Sequence, residues 1–234
     1  MLSVSHVDYI YKNEDYLNKP KDQFKRILDW LKRNTLSNQN YSLLDLGCAR
    51  GELIHFLNKN TENVSFVGVD HSDGLIKMAK SSTDIDFEIS DIEQYESDKK
   101  YDFVVIAGVI EYLDDPEVIV KKISSYLKEF GRVLVLNIFN DYDIDVRVRY
   151  RNNKYFNEFK NGWSLHSIKT FYKILKANNF AVEKEEKFFP DCFLAPKKDP
   201  ARSWMIRDQD GVLKYMNGLS QVYDSYVLEI LKTK

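Results

Sequence analysis

Apolar positions along the chain follow two alternating rhythms. Over 21–33, Phe24, Ile27, Leu28 and Leu31 fall at helical spacing behind Pro20, a residue that a first helical turn tolerates. An apolar run at 41–46 follows, then a turn with two glycines, then a helical stretch over 52–58. The unit returns as a run at 64–69 with a helix at 74–80, and again as 101–106 with a helix at 116–128. Residues 86–89 form a short strand between the second and third units, and 132–138 adds another buried strand. Strands alternating with helices at these lengths predict parallel strands joined by right-handed crossovers. The product is an open sheet with helices on both faces and a ligand crevice beyond the carboxyl ends of its strands.

After Ile138 the rhythm breaks over 139–163, a polar stretch rich in arginine and tyrosine and longer than an ordinary connection, which reads as a functional insertion. A helix over 167–177, with Ser164 or Ser167 as its N-cap, and a strand over 180–189 resume the core. A second insertion spans 190–222, and 226–231 returns as a final strand tucked in as a hairpin partner. The expected fold is α/β: a Rossmann-like, mostly parallel seven-stranded sheet with helices on both faces and a C-terminal antiparallel strand. A chain of 234 residues suits one such core, so 1–234 is expected to be a single domain with an N-terminal arm and helix over 1–38.

Composition narrows the partners. With 34 basic and 36 acidic residues the net charge is −2, which gives no overall attraction to polyanions and argues against nucleic acid. No apolar run approaches the roughly 20 residues that span a bilayer, and the N-terminus lacks the pattern of a signal peptide, so a cytoplasmic protein with no membrane contact is expected. Cys48 and Cys192 lie far apart with no paired spacing, and the four histidines show no ligand-like spacing, so neither a disulfide nor a metal site is expected.

The densest chemistry sits in Leu43-Leu44-Asp45-Leu46-Gly47-Cys48-Ala49-Arg50-Gly51, an apolar strand that ends in a two-glycine turn opening onto a helix. Glycine lets backbone pass close to a ligand, and the helix start offers unpaired N–H groups. Asp70 ends the next strand, where a carboxylate can accept hydrogen bonds from both hydroxyls of a ribose. A dinucleotide fingerprint would place a pyrophosphate on the helix start, but Asp45 precedes this turn and Glu52 follows it, and two carboxylates repel a diphosphate. S-adenosylmethionine carries no phosphate, has an ammonium at its methionine end and a positive sulfur, and suits an acidic loop.

The stretch from Asp45 to Gly51 resembles the first motif of class I S-adenosylmethionine-dependent methyltransferases, in particular their small-molecule (type 11/12-like) branch. Val67-Gly68-Val69-Asp70-His71-Ser72 resembles the second motif and Ser90-Asp91-Ile92 the third. Tyr101-Asp102-Phe103-Val104-Val105 through Glu111-Tyr112-Leu113 resembles the fourth. The ordered set covers about residues 40 to 140, which the resemblance makes the cofactor-binding half. It implies that S-adenosylmethionine, leaving as S-adenosylhomocysteine, is held by Asp45, Gly47, Cys48, Ala49, Gly51, Asp70, His71, Asp91, Ile92, Ala107 and Gly108, with Asp70 on the ribose and Asp91 and Ile92 at the adenine. Many relatives read Glu-His-Leu where this chain has Glu111-Tyr112-Leu113, so a histidine base is absent there, and no Asn-Pro-Pro-Tyr type motif is present.

Methyl transfer is an in-line displacement that chiefly needs the acceptor aligned about 3 to 3.5 Å from the methyl carbon. A hydroxyl acceptor gains from a general base, for which His166 and Tyr112 are candidates, with Glu111 behind them. Arg147, Arg149 and Arg151 alternate as on a strand, and their forks match phosphate or carboxylate oxygens. With Trp163 and the N-terminal Tyr11 and Tyr16 they are candidates for the acceptor side, against the alternatives of a solvated charged edge, a core tryptophan and a packed arm. The expected reaction is methyl transfer to a small anionic metabolite: phosphorylated, nucleotide-linked or carboxylated. Protein or RNA methylation and non-catalytic S-adenosylmethionine binding are the alternatives. The 190–222 insertion either covers the acceptor site or joins two copies as a homodimer.

Overall fold

The computed structural model describes residues 20–81, 85–151, 153, 157–196 and 203–233. Its first helix, α1 (Asp22–Arg33), buries Phe24, Ile27, Leu28, Trp30 and Leu31 along one side, as the spacing predicts. There follow β1 (Tyr41–Leu46), α2 (Glu52–Asn60), β2 (Val64–Asp70), α3 (Asp73–Lys80), β3 (Asp86–Ile89), β4 (Tyr101–Ala107), α4 (Pro116–Tyr126) and β5 (Leu127–Phe139). Pro116 opens α4 behind Asp115, whose side chain accepts the Glu117 N–H, so the helix start is capped where proline needs no donor. The second half comprises β6 (Arg149–Tyr150), β7 (Lys160–Asn161), α5 (Ile168–Ala177), β8 (Phe180–Lys187), β9 (Trp204–Arg207), β10 (Leu213–Met216) and β11 (Val222–Lys232).

Strands β1 to β5 are parallel in the order β3-β2-β1-β4-β5. The chain runs outward from β1 to β3 and restarts at β4 on the other side of β1, which opens a crevice between the carboxyl ends of β1 and β4. Strand β11 runs antiparallel against β5 on one edge and against β8 on the other. The expected sheet of seven strands has nine. The stretch from 190 to 222, read as an insertion, contributes the β9–β10 hairpin, which joins the start of β11 through Tyr215 and Met216. Strand β11 accordingly begins at Val222 rather than 226. The arginine-rich run forms only the two-residue β6, paired with β7, and Val146 bridges Leu165 before it.

Both faces of the sheet are covered. Leu44, Leu46, Val104 and Ile106 pack under α4 and α5. Leu43, Phe66, Phe103 and Val105 pack under α1, α2 and α3. Helix α1 is also clasped electrostatically: Arg26 and Arg33 reach the buried Glu229 of β11 at 3.0 and 2.8 Å, and Arg26 pairs with Glu186 of β8. Burial pushes the Glu229 carboxyl up, but the two guanidinium groups hold it below its ordinary value. This clasp fixes the start of α1 at the mouth of the crevice.

Trp30 is fully buried and meets Phe103 edge-on, with ring centres 5.4 Å apart. Trp30→Ala is expected to lower unfolding free energy by about 3–5 kcal/mol in denaturant titration, the range for truncating a buried large aromatic.

Candidate active site

Beyond the β1–β4 crevice lies a cavity of about 540 Å³ that runs from the glycine turn toward the second half of the chain. Asp45, Gly47, Cys48 and Ala49 of the first motif, Ala107 and Gly108 after β4, and Glu111, Tyr112 and Trp163 all line it. Gly47 sits at φ +81°, and a Cβ there would stand 2.4 Å from a methyl of Val109, so backbone follows the crevice where no side chain fits. The turn is tied to the sheet by Asp70, whose carboxylate accepts the N–H of Ala49 and of Ser72, both at 2.9 Å. Gly51, also at positive φ, caps α2 against the ring of Phe87.

Acidity is the cavity's distinctive property. Among the described residues, Asp22, Asp45, Glu52 and Glu111 line it against one basic side chain, Lys21. Glu52 is paired with Arg50 at 2.6 Å. Asp45 is buried, and desolvation together with the nearby Asp70 pushes its carboxyl up to about 7. A carboxylate held so is stabilised by an incoming cation and by nothing anionic. The donor set therefore fits the ammonium and sulfonium of S-adenosylmethionine, and the glycine turn supplies the close approach.

The adenosine candidates lie on the adjoining strands and outside the cavity lining. Asp70 ends β2, with the exposed His71 ring 3.4 Å from its carboxylate. Past β3, Asp91 is exposed and accepts the Glu93 N–H, while Ile92 is buried. Among the described residues no group of three or more histidine, cysteine or acidic side chains could hold a metal, and no helix is long and apolar enough to cross a membrane.

The acceptor side departs from expectation. His166 is buried away from the lining, its Nε2 is 3.1 Å from the Leu113 carbonyl, and burial lowers its pKa. A neutral ring donating to that carbonyl braces the turn that carries Glu111. Arg147, Arg149 and Arg151 are exposed and none lines the cavity. Arg149 faces Asp114 at 3.8 Å and Arg151 lies over Phe159. Tyr150 points in instead, because alternation along this run puts it on the side opposite the arginines. Tyr11 and Tyr16 lie outside the described residues.

Glu111 is the buried acid of this half. Burial pushes its carboxyl up to about 7, with Asn137 and its own backbone N–H pulling the other way. Its Oε2 has no hydrogen-bond partner. Asn137 is missing from the sequence reading: its Oδ1 accepts the N–H groups of Val109 and Ile110, each at 3.1 Å, and so builds the turn that presents Glu111. One amide in the apolar run Val133-Leu134-Val135-Leu136-Asn137-Ile138-Phe139 is the signal that could have found it. The insertion at 139–163 folds back on the same turn, with the Ser164 N–H donating to the Glu111 carbonyl at 2.9 Å and Asn161 to Asp114 at 3.0 Å. Tyr215 and Tyr223, from β10 and β11, complete the far wall and were also not foreseen.

Residues 18–185 match the family model described as a methyltransferase domain. Among curated relatives, "Probable (S)-tetrahydroprotoberberine N-methyltransferase 2" of Papaver bracteatum is 30% identical over 100 residues, covering 40% of this chain and 28% of that protein. A malonyl-[acyl-carrier protein] O-methyltransferase of Priestia megaterium is 24% identical over 193 residues, covering 75% and 70%. The chain thus spans between a quarter and two fifths of the length of the first two relatives it matches. The fold is that of an S-adenosylmethionine-dependent methyltransferase from Clostridium acetobutylicum, at 15% identity and TM-score 0.60 over 96% of this chain and 94% of that one. Fold and site together define a class I S-adenosylmethionine-dependent methyltransferase. The chain belongs to the methyltransferase-domain family.

Gly47→Ala is expected to weaken S-adenosylmethionine binding at least about tenfold in calorimetry, because the added methyl meets Val109 at a backbone angle that already disfavours it. Gly211→Ala, at φ +78° with nothing within 4 Å, is the control that keeps full affinity.

Proposed function

We propose that this methyltransferase acts on an O–H or N–H group of a small acceptor that is uncharged where it enters the cavity, with Glu111 taking the proton. The observation that carries this reading is the buried, partnerless Oε2 of Glu111, a residue that lines the same cavity as the glycine turn. When bound, S-adenosylmethionine supplies an electrophilic methyl group on a sulfonium leaving group. The turn from Asp45 to Ala49 would hold its methionine end, with Asp45 facing the positive charge; Asp70, His71, Asp91 and Ile92 would hold the adenosine. Ala107 and Gly108 give room beside it, Gly108 at φ +70° with its N–H donating to the Leu136 carbonyl at 2.9 Å.

Glu111 serves as base in its ionised form: it accepts the acceptor's proton as the oxygen or nitrogen lone pair bonds to the methyl carbon. A carboxyl at about 7 is suited to that exchange near neutral pH. Tyr112 stands beside it, half-buried, and closes the cavity against Gly162, whose hypothetical Cβ lies 3.0 Å from its ring. An anionic acceptor rested on Arg147, Arg149 and Arg151, and their exposure removes that support. The relatives' names include both N- and O-methylation, which a carboxylate base accommodates equally.

With a panel of phenols and secondary amines and S-adenosylhomocysteine release as the readout, Glu111→Gln is expected to lower kcat/KM by about 10²–10⁴-fold, the usual range for losing a general base. In the unmutated protein the rate is expected to rise with pH through about 7 as Glu111 ionises, and the variant should lack that limb. A variant with full rate and an unchanged profile contradicts the role.

A further inference from the structure

At the acceptor end of the cavity Tyr112, Trp163, Tyr223 and Tyr215 stand in series, with Phe189 behind the last. Tyr112 and Trp163 have ring centres 6.4 Å apart, and Trp163 and Tyr223 are 6.5 Å apart. Tyr223 stacks on Tyr215 at 6.0 Å with the planes 6° apart, and Tyr215 on Phe189 at 5.8 Å with the planes 1° apart. At these separations the rings touch one another, and the series presents aromatic surface to the cavity, against which planar π-systems pack.

Trp163 stands at the centre of this wall in an uncommon backbone conformation, at φ +62°. A non-glycine residue persists there only when its surroundings over-determine it, and such residues cluster at ligand sites. Here the β10–β11 turn does so. Gln221 Nε2 donates to the Trp163 carbonyl at 3.0 Å. Gln221 is itself held by the fully buried Asn217, which donates to its Oε1 at 3.0 Å and accepts its backbone N–H at 3.3 Å. Despite this support the indole Nε1 is buried with no hydrogen-bond partner. Among the described residues that line the cavity, two thus carry a buried orphaned atom: the acceptor Glu111 Oε2 and the donor Trp163 Nε1. Unmade hydrogen bonds of this kind cost stability, and a ligand bearing the complementary groups recovers it.

We infer that the acceptor is a planar aromatic or heteroaromatic molecule carrying a lone-pair oxygen or nitrogen for the Trp163 indole N–H as well as the O–H or N–H that faces Glu111. This rests on the Glu111 reading for the second contact alone. Trp163, presented by Asn217 and Gln221, is then the residue that selects the ring.

The probe is quinolin-2(1H)-one, a flat bicycle with one N–H and one carbonyl, titrated calorimetrically into the protein saturated with S-adenosylhomocysteine. It is expected to bind at least about tenfold more tightly than decahydroquinolin-2-one, which keeps both polar groups on a puckered frame. Trp163→Phe, with its fold checked by circular dichroism, is expected to weaken the flat probe at least about tenfold. Equal affinity for flat and puckered probes overturns the inference in the unmutated protein, and undiminished binding to Trp163→Phe overturns the role of the indole. The 1-methyl derivative of the probe lacks the donor for Glu111. If it binds as well as the parent while Trp163→Phe still weakens both, the Glu111 reading fails and the Trp163 inference stands; the reverse pattern separates the failures the other way.

Discussion

The molecule turns on the gathering of carboxylates in a place poor in water. Asp45, Asp70, Glu52 and Glu111 are all buried at or just beyond the carboxyl ends of parallel strands. Desolvation of an anion is costly unless something compensates it. Glu52 has Arg50 and Asp70 has two backbone N–H groups, whereas Asp45 and Glu111 have pKa values raised to about 7. The protein's own groups thus leave the site electrostatically incomplete. In the proposed reading, a ligand with an ammonium and a sulfonium would complete it at one end, and an acceptor with a transferable proton at the other.

Everything else in the fold serves to hold those groups where they are. The reversal of strand order between β1 and β4 opens the crevice, and the glycines on both sides of it keep it open. Val104, Ile106, Val133 and Val135 pack β4 and β5 under one helical layer, and Phe103, Val105, Leu134 and Leu136 pack them under the other. Asn137 then uses the end of β5 to fix the turn of Glu111, and His166 braces that turn from behind through Leu113. The arginine clasp on Glu229 brings α1 to the mouth, where Pro20 through Phe24 meet the cavity.

Much of the fold was legible in the sequence because its strands are buried on both faces and its helices on one, which writes two distinct periods into residues 21 to 138. The β9–β10 hairpin was not: its strands have four residues each, too few for alternation to stand out. At the site, the turn from Asp45 to Gly51 was legible because close backbone approach demands glycine and the neighbouring charges specify the ligand's sign. Of the acceptor wall, Glu111, Tyr112 and Trp163 were candidates from the sequence, whereas Tyr150, Tyr215 and Tyr223 were not, because they come from separate segments that only tertiary structure brings together. The arginine alternation was seen correctly and its outward direction was not, since a period of two says which residues share a side and is silent about which side is in.

The central claim is that a buried, partly protonated Asp45 receives the positive end of S-adenosylmethionine. It is tested most directly by the protons exchanged on binding. A carboxyl at about 7 in the free protein falls when a cation arrives, so binding at pH 6.5 should release protons and affinity should rise with pH up to about 7. Calorimetric titrations at pH 6.5 in buffers of different ionisation enthalpy measure this. The account predicts a net release that Asp45→Asn reduces; no release, or proton uptake, contradicts it.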